Sequence, residues 1–558
     1  MKKLMLLMVA MLWLGNIFSQ DNLPLESPDL QLRVTEPDRI PRVTGQMLYY
    51  DPITDADLQL PYTTVQLFED DQKTNIASIE EDGSFVLPLD YALPYQSIFI
   101  RLGEKSFVGM VAHTDLHLVI DLQAVKAEQD SFYRYEGTDA ALNRYMESYH
   151  AYAREERQAL DQQKWQISRQ ATPQERIAQL GEIYRDFQEI DAAFVAEHPS
   201  PYSWIIAEER LAEKYGDTFI SFWGKERDEG LLAEALAYQP KLLSNYGNFY
   251  YRYLYNMLSN PPPSDSYQIL EDILTAKAYE GAERDSMHRY LDLYKSALNQ
   301  EAYDQASLIR LGHQFRMPNQ AAISKAMQKL YQQALKSQPL LRRNILAMIG
   351  RPDMLWERVD YLEQVIPVLE PGWHQTEMQQ QLAEDQQRIA DLERLLAPDA
   401  LLNEPHVLGT KVLEVPGESE MFVSNHETVA ELLSAMREAH PDTAIIIDVW
   451  TTWCGPCIYD MKQSRMVKQQ LKKMPVKVIY LCMASGPSNQ KDWKRIVTDM
   501  QVSGDHIFLP GEIYEAFMEE FDLRGFPSCL FMTPEGEVDT EAIMRISYIS
   551  PAELKKKL

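Results

Sequence analysis

A different hydrophobic pattern marks each successive part of the chain. Over residues 43–136, short apolar runs alternate with polar and turn residues, which is typical of β-strands. Over residues 137–402, apolar residues recur with the i, i+3, i+4, i+7 spacing of amphipathic helices. Over residues 403–558, apolar β-branched runs alternate with helical patterns. The patterns predict an N-terminal β-sandwich, a central all-α domain and a C-terminal α/β domain.

The β-rich part contains strand-like runs separated by turns. Its turn at Glu81–Ser84 lies between the strand-like runs Val65–Phe68 and Phe85–Leu87. Further strands are predicted at Ser97–Arg101, Phe107–Ala112 and His117–Leu122. The segments that resemble the carboxypeptidase-regulatory-like β-sandwich, mostly in their turn chemistry, are Val43–Gln46, Leu60–Val65 and Asp82–Phe85.

The helical part is divided by breaks rich in proline. These breaks fall at His198–Pro201, Pro261–Pro263, Pro352 and Pro371–Gly372. The run Tyr246–Tyr255 forms either an aromatic binding wall or a packed core with its hydroxyls at the edge, and its helical spacing favours the core. We find no Ser/His/Asp arrangement, Gly-rich phosphate loop or paired-carboxylate motif here. The sequence therefore predicts no chemistry for this part.

The α/β part follows a predicted linker at Pro398–Pro416. Its predicted strands are Ala444–Trp450, Val476–Met483, Ser528–Thr533 and an edge strand after the turn Pro534–Gly536. Its predicted helices are Glu427–Ala439, Ile458–Met474, Asp492–Met500, Gly511–Phe521 and Ser550–Leu558. The predicted order of elements is βαβαββα.

The N-terminus has the features of a secretory signal peptide. Met1–Lys3 is basic, Leu4–Leu14 is apolar, and a cleavage position follows near Ser19 or Gln20. We therefore expect residues 1–20 to be a signal peptide and residues 21–42 a leader. The alternative is an uncleaved anchor, although the apolar run is short for a bilayer span. No later stretch is long and apolar enough to predict a transmembrane segment.

Composition narrows the range of partners. The chain has 558 residues and a formal net charge of −29, so it should repel nucleic acid and anionic lipid headgroups. It has four cysteines, which argues against a disulfide scaffold. We also predict no metal site at His113 and His117, because they lie in separate turns without clustered partners and are interpreted as surface residues.

The motif Cys454-Gly455-Pro456-Cys457 follows a buried-strand pattern and begins a helical one. Two thiols at this spacing can close a disulfide, and the helix N-terminus favours a thiolate at Cys454. We expect Cys454 to be the exposed, attacking thiol and Cys457 to be the buried, resolving thiol. A C-x-x-C motif can also be half of a zinc site. That alternative needs further clustered ligands, and the other cysteines, Cys482 and Cys529, are isolated.

Two segments together resemble a known family. Asp448–Cys457 is similar to the thioredoxin active-site segment, and Leu523–Ser528 is similar to the thioredoxin cis-proline loop. Within the thioredoxin superfamily, the resemblance is closest to the TlpA/ResA-like thiol–disulfide oxidoreductases, in the exported multidomain form of Bacteroidetes. It covers about 150 residues, the size of one domain, and implies a C-terminal thioredoxin fold over residues 403–558.

The resemblance implies roles for further residues. Burial should raise the pKa of Asp448 and make its carboxylate a proton acceptor for Cys457, the role that the family gives to this position. The alternative is a partly exposed aspartate at the strand end. The substrate-binding residues that the resemblance implies are Trp453, Gly455, Pro456, Phe526 and Pro527. The peptide bond before Pro527 is expected to be cis, leaving the backbone of Phe526 to pair with an extended substrate.

The sequence departs from the thioredoxin pattern in two places. Lys462 stands where a helix proline is usual, and no lysine stands where thioredoxin couples one to the buried aspartate. The helix kink and the proton path are therefore expected to differ. Cys482 and Cys529 are interpreted as buried residues without a redox role, with a regulatory disulfide between them as the alternative.

These features predict an exported, periplasmic oxidoreductase that reduces protein disulfides without a cofactor. The expected partners are envelope proteins with disulfides and a membrane thiol relay that supplies electrons. Gly-Pro between the cysteines favours a reductant over an oxidant. The alternatives are a disulfide oxidase or isomerase and a non-enzymatic interaction protein on a thioredoxin scaffold.

Overall fold

A computed structural model describes residues 40–555 with internal gaps. The gaps are 56–57, 65–73, 90–94, 103–105, 130, 169, 241–244, 300, 353, 398–400, 416–418, 542 and 550–553. The predicted signal peptide, most of the predicted leader and the strand-like run Val65–Phe68 therefore lie outside the described residues, as does most of the closing helix Ser550–Leu558. By contacts between Cα atoms the chain divides into two compact units, residues 1–269, 325–351 and 361–380, and residues 270–324, 352–360 and 381–558.

The first unit begins with two four-stranded sheets. In sheet order the first sheet is β4 (Ser84–Val86), β1 (Arg42–Leu48), β7 (Asp115–Asp121) and β8 (Tyr133–Glu136). The second sheet is β3 (Thr74–Ala77), β2 (Leu60–Thr64), β5 (Gln96–Leu102) and β6 (Ser106–Ala112). Buried and less buried residues alternate along β1, which places its apolar side chains on one face.

Inward-facing residues of both sheets share one hydrophobic core, as in a β-sandwich. Val43 and Met47 of one sheet and Ile98 of the other are among its buried members. Gly45 is required within this core, because a Cβ at this position would lie 2.0 Å from the ring of Phe85. The predicted strands at 97–101, 107–112 and 117–122 are present with shifted ends.

Helices follow the sandwich and alternate with the proline-rich breaks. The helices up to residue 298 are α1 (Leu122–Lys126), α2 (Ala140–Ala151), α3 (Arg154–Gln166), α4 (Pro173–Glu197), α5 (Ser203–Ile220), α6 (Glu229–Ala237), α7 (Asn245–Ser259), α8 (Pro263–Thr275) and α9 (Gly281–Leu298). The next are α10 (Gln305–Phe315), α11 (Gln320–Ser337), α12 (Leu340–Ile349), α13 (Leu355–Val365) and α14 (Trp373–Leu395). Thr172 begins α4 with a capping box to Glu175 and Pro173 in the first turn, so the helix start is locally encoded.

Buried charges and tyrosines hold the helices of the first unit together. Arg210 bonds Asp191 through its Nε at 2.9 Å and Glu213 through its Nη1 at 2.6 Å, while Tyr149 donates to Asp191. Since these groups are paired inside the unit, the network is structural. In α7, Tyr250 and Tyr251 are fully buried, which agrees with the interpretation of the tyrosine run as packed core.

The second unit contains an eight-stranded mixed sheet. In sheet order the strands are β16 (Val538–Asp539), β15 (Ser528–Met532), β12 (Ala444–Trp450), β13 (Val476–Met483), β14 (Gly504–Leu509), β11 (Ser419–Val423), β10 (Gly409–Val415) and β9 (Glu404–His406). The central strands β12, β13 and β14 are parallel, and β12 is buried along its whole length. Helices on both faces explain the continuous apolar run of this strand.

The predicted order βαβαββα is wrong in its strand count. Strands β11 and β14 were both missed. The six residues of β14 are buried throughout but include the polar residues Asp505 and His506, so they lack the apolar run expected of a buried strand. His440 Nε2 and Asp505 Oδ2 lie 2.6 Å apart, and Lys477 Nζ lies 3.0 Å from Asp505 Oδ1. The predicted linker Pro398–Pro416 was also wrong, because it contains β9 and β10.

The helices of this part are α15 (Val429–Ala439), α16 (Gly455–Gln463), α17 (Arg465–Leu471), α18 (Gln490–Met500) and α19 (Gly511–Glu520). The single helix predicted over 458–474 is instead two helices that meet at Ser464, and the second one ends at Leu471. Among the described residues, none of the helices combines the length and the apolarity needed to cross a membrane.

Candidate active site

The two cysteines of the motif form a disulfide at the start of α16. Cys454 is the N-cap residue of this helix, and its Sγ accepts a hydrogen bond from the backbone N–H of Cys457 at 3.2 Å. The two Cα atoms are 5.3 Å apart. Pro456 lies in the first helical turn, where its missing N–H leaves no helical bond unmade. This geometry places Cys454, and not Cys457, at the positive end of the helix.

Exposure does not distinguish the two sulfurs in the disulfide form. Cys454 is 3% exposed and Cys457 is 0% exposed. The expectation of an exposed Cys454 is therefore wrong for this state, because both side chains belong to the hydrophobic core of the sheet. The N-cap position of Cys454 is what separates the roles of the two residues.

Aromatic side chains and exposed backbone flank the disulfide. Trp453 is half-buried, and its indole Nε1 donates to the carbonyl of Ser485 at 2.8 Å. The ring of Phe526 meets the Trp453 ring edge to face, with centroids 5.8 Å apart. Gly455 and Pro456 are exposed. The structure thus brings these four sequence-predicted residues together at one surface.

The loop that carries Phe526 has the predicted backbone geometry. The peptide bond between Phe526 and Pro527 is cis, and both residues are half-buried. Ser528 Oγ donates to the carbonyl of Gly525 at 2.8 Å and ties the loop together. Strand β15 begins directly afterwards and pairs antiparallel with β12, which leads to the disulfide.

Asp448 is buried in the middle of β12. It is 3% exposed, and its Oδ2 has no hydrogen-bond partner in the part of the chain that the structure describes. Burial, followed by the nearby charge of Asp460, raises the pKa of Asp448 to about 7, while the charge of Lys468 opposes this increase. The alternative of an exposed strand-end aspartate is therefore wrong. A carboxyl group with this pKa can gain or lose a proton near neutral pH.

Asp460 in α16 and Lys468 in α17 complete a buried polar cluster with Asp448. The carboxylate of Asp460 accepts hydrogen bonds from the backbone N–H of Ile546, at 3.2 Å, and from the hydroxyl of Ser547. Lys468 Nζ donates to the carbonyl of Met461 at 2.9 Å and lies 5.3 Å from the centroid of the Tyr480 ring. Both charged residues are less than 10% exposed.

Asp460 and Lys468 were not among the residues predicted from the sequence. A signal was present for Asp460, because it follows Cys457 by three positions and so shares one face of α16, whereas Lys468 lies in the separate helix α17. In β13 the register partner of Asp448 is Tyr480. The cation near Asp448 comes instead from α17.

Cys482 and Cys529 are free thiols, and both are buried. Cys529 is the register partner of Asp448 in β15, whereas Cys482 is that of Trp450 in β13. Burial raises the pKa of both thiols, which lowers the fraction of reactive thiolate. The alternative disulfide between these two residues is not formed in this structure.

No group of three or more potential metal ligands from His, Cys, Asp and Glu occurs within the described ranges. His117 Nδ1 lies 2.9 Å from the hydroxyl of Thr44, and His113 is stacked on Tyr95 with centroids 4.1 Å apart. Both histidines are half-buried, so the expectation of two surface side chains was only partly right.

Comparison with known proteins finds similarity in part of the chain. No protein-family model matches the chain. No curated protein sequence matches it either. Among solved structures, the thioredoxin domain of a thiol-disulfide oxidoreductase from Bacteroides vulgatus is 14% identical with a TM-score of 0.19, covering 22% of this chain and 82% of that one.

Two further structures are similar to a part of the same size. StoA from Bacillus subtilis is 16% identical with a TM-score of 0.18, covering 21% of this chain and 82% of its own. A secreted disulfide oxidoreductase from Mycobacterium tuberculosis is 11% identical with a TM-score of 0.16, covering 22% of this chain and 83% of its own. The similarity thus concerns about a fifth of this chain.

Proposed function

We propose that this protein is an exported thiol–disulfide oxidoreductase of the TlpA/ResA-like type that reduces disulfides of cell-envelope proteins. The observation that carries the proposal is the Cys454–Cys457 disulfide at the N-terminus of α16, together with the buried carboxyl group of Asp448. A thiolate at a helix N-terminus is stabilised by the helix dipole and by unpaired backbone N–H groups. Such a dithiol can exchange with the disulfide of another protein.

The first step uses Cys454 in the reduced protein. Its thiolate attacks one sulfur of the client disulfide, so that one sulfur–sulfur bond forms and the client bond breaks. The leaving client sulfur departs as a thiolate and takes up a proton from solvent. The backbone N–H of Cys457, which bonds Cys454 Sγ in the disulfide form, stabilises the attacking thiolate.

The second step uses Cys457 and Asp448. The carboxylate of Asp448 accepts the proton of the Cys457 thiol, and the resulting thiolate attacks Cys454 Sγ. The mixed disulfide breaks, the client leaves with its second sulfur as a thiolate that is then protonated, and the Cys454–Cys457 disulfide forms. Two electrons have moved from the protein to the client, so a membrane thiol relay is proposed to reduce the pair again.

The surface around the disulfide suits a polypeptide substrate. Trp453 and Phe526 provide half-buried aromatic faces, and exposed Gly455 and Pro456 leave the approach to Cys454 without large side chains. The loop at Phe526 and Pro527 is proposed to pair with an extended client backbone, as a strand added to a sheet edge does.

A turnover assay tests the proposal. The protein, with dithiothreitol as electron donor, should accelerate the reduction of insulin disulfides, and Cys454→Ser should return the rate to that of dithiothreitol alone. A wild-type rate equal to dithiothreitol alone would overturn the proposal. The direction of electron flow is tested by equilibrating the cysteine pair with glutathione and measuring its reduction potential. A potential of about −250 mV supports a reductase, whereas one of about −120 mV indicates an oxidase.

A further inference from the structure

Residues of the helical region reach the active site within the second unit. The segment Gln305–Asn319, formed by α10 and the 3₁₀ turn Met317–Asn319, belongs to the same compact unit as the disulfide. A Cβ added to Gly486 would lie 3.7 Å from Met317 Cε and 3.4 Å from Trp453 Nε1. The methyl group of Met317 and the indole that precedes Cys454 therefore approach the same point.

Packing inside the helical region fixes the position of Met317. On one side Phe315 is fully buried, and its ring stacks on Tyr290 of α9 with centroids 6.1 Å apart. On the other side Asn319 is 4% exposed, and its Nδ2 donates to the carbonyl of Phe315 at 2.6 Å. Met317 lies between these two anchors and is itself half-buried.

The opposite partner is fixed as well. Trp453 is held by the carbonyl of Ser485, and the adjacent Gly486 has a φ of +59°. This left-handed backbone lets the loop turn beneath the indole without a side chain, and it leaves the space that the Met317 methyl group borders. The ring of Phe526 meets the indole edge to face. The side chains of Met317, Trp453 and Phe526 are all apolar and half-buried.

We propose that Met317 forms one wall of the client-binding surface and selects clients with an apolar residue beside the attacked cysteine. The inference rests on the proposed function and adds a residue from the helical region to it. Methionine suits this task because its unbranched thioether adapts to differently shaped apolar side chains. Loss of the apolar wall should weaken binding of apolar clients and leave the sulfur chemistry unchanged.

Matched substrates test the proposal in the full-length protein. The first two are synthetic disulfide peptides that are identical except for leucine or serine next to the attacked cysteine. Hydroxyethyl disulfide, which has no side chains to contact Met317, is the third. Met317→Asp should raise KM for the leucine peptide roughly tenfold more than for the serine peptide, and it should change the hydroxyethyl disulfide rate less than the leucine-peptide rate.

Control variants separate binding from structure. Met317→Leu keeps an apolar side chain of similar volume and should retain the leucine preference. Gln314→Asp adds the same charge at an exposed position one turn earlier and should change nothing. Met317→Ala, which removes the thioether without adding charge, should lose part of the preference for the leucine peptide. It replaces Met317→Asp as the test if the aspartate variant does not fold.

The outcomes distinguish this inference from the function on which it rests. If the Met317 variants kept the leucine preference, or lost activity equally on all three substrates, Met317 would not select clients and the inference would be overturned. If the wild-type protein reduced none of the three substrates, the proposed function would be wrong and the inference would fall with it.

Discussion

The carboxyl groups of Asp448 and Asp460 interact inside one buried layer, in which each residue is only 3% exposed. Asp460 is held by hydrogen bonds from Ile546 and Ser547, whereas Asp448 Oδ2 has no such partner in the described chain. Burial and the nearby charge of Asp460 both disfavour the charged form of Asp448 and raise its pKa to about 7. Asp448 can therefore exchange a proton near neutral pH.

Asp448→Asn should slow the resolution of the mixed disulfide about 100-fold or more at pH 8, because asparagine cannot accept the Cys457 proton. In the wild-type protein the rate should rise with pH through a midpoint near 7, where Asp448 ionises. The variant should lose this rise. Stopped-flow measurement of both steps checks the prediction, with Asp522→Asn at an exposed site as control. A variant slowed only in the attack of Cys454 would contradict it.

The charges of Asp460 and Lys468 should move that midpoint in opposite directions. Asp460→Asn removes a like charge and should lower the midpoint, whereas Lys468→Met removes an opposite charge and should raise it, each by about 1 pH unit. The same pH–rate profile measures both variants. Ser547→Ala removes one hydrogen bond to Asp460 without a charge change, and Lys473→Met removes an exposed charge. Shifts in the same direction would rule out this electrostatic account.

The stability of the oxidised protein should also depend on pH through the raised pKa of Asp448. The pKa of Asp448 is raised from 3.8 to about 7 in the folded protein, so the folded state keeps a proton that the unfolded chain releases between these values. Stability should therefore fall as pH rises through this window, by up to a few kcal/mol.

Asp448→Asn should flatten this dependence, since asparagine does not titrate. Hydrogen exchange of β12 amides in the oxidised full-length protein measures it at several pH values. A wild-type protection profile with the same slope as the variant would show that the pKa of Asp448 is not raised.

Most of the site around the cysteines was predictable, because it depends on neighbours in sequence. The helix start at Cys454, the strand before it and the cis bond at Pro527 follow from short motifs that the structure reproduces. Asp460 and Lys468 were missed because their importance comes from a shared buried layer. Met317 lies 137 positions before Cys454 in the chain, and no local pattern links the two.

The fold was predictable where patterns were continuous. The residues of β12 that precede Asp448 are all apolar, and this strand was predicted with correct ends. Strand β14 was missed because it contains Asp505 and His506. The ion pair between Asp505 and Lys477 joins β14 to β13 and could not be read from either strand alone. The predicted division at residue 403 stays a prediction.

A fragment comparison tests how far the α/β part depends on preceding residues. Arg388 Nη2 lies 2.9 Å from Asp499 Oδ1, and Leu396 and Leu401 pack against the core around the disulfide. A fragment of residues 381–558 should therefore melt at a higher temperature than one of residues 403–558, by about 2–4 °C for each 1 kcal/mol that these contacts contribute. Thermal unfolding by circular dichroism checks this. Equal melting temperatures would show that these contacts add no stability.

The central claim is that Cys454 attacks and Cys457 resolves, and trapping of mixed disulfides tests it most directly. The full-length Cys457→Ser and Cys454→Ser variants, each reduced and then mixed with a disulfide-containing protein, are compared by mass spectrometry under non-reducing conditions. We predict that Cys457→Ser accumulates a stable adduct joined through Cys454, because the resolving thiol is absent, and that Cys454→Ser accumulates none. Equal adducts in both variants, or an adduct formed only through Cys457, would contradict the account.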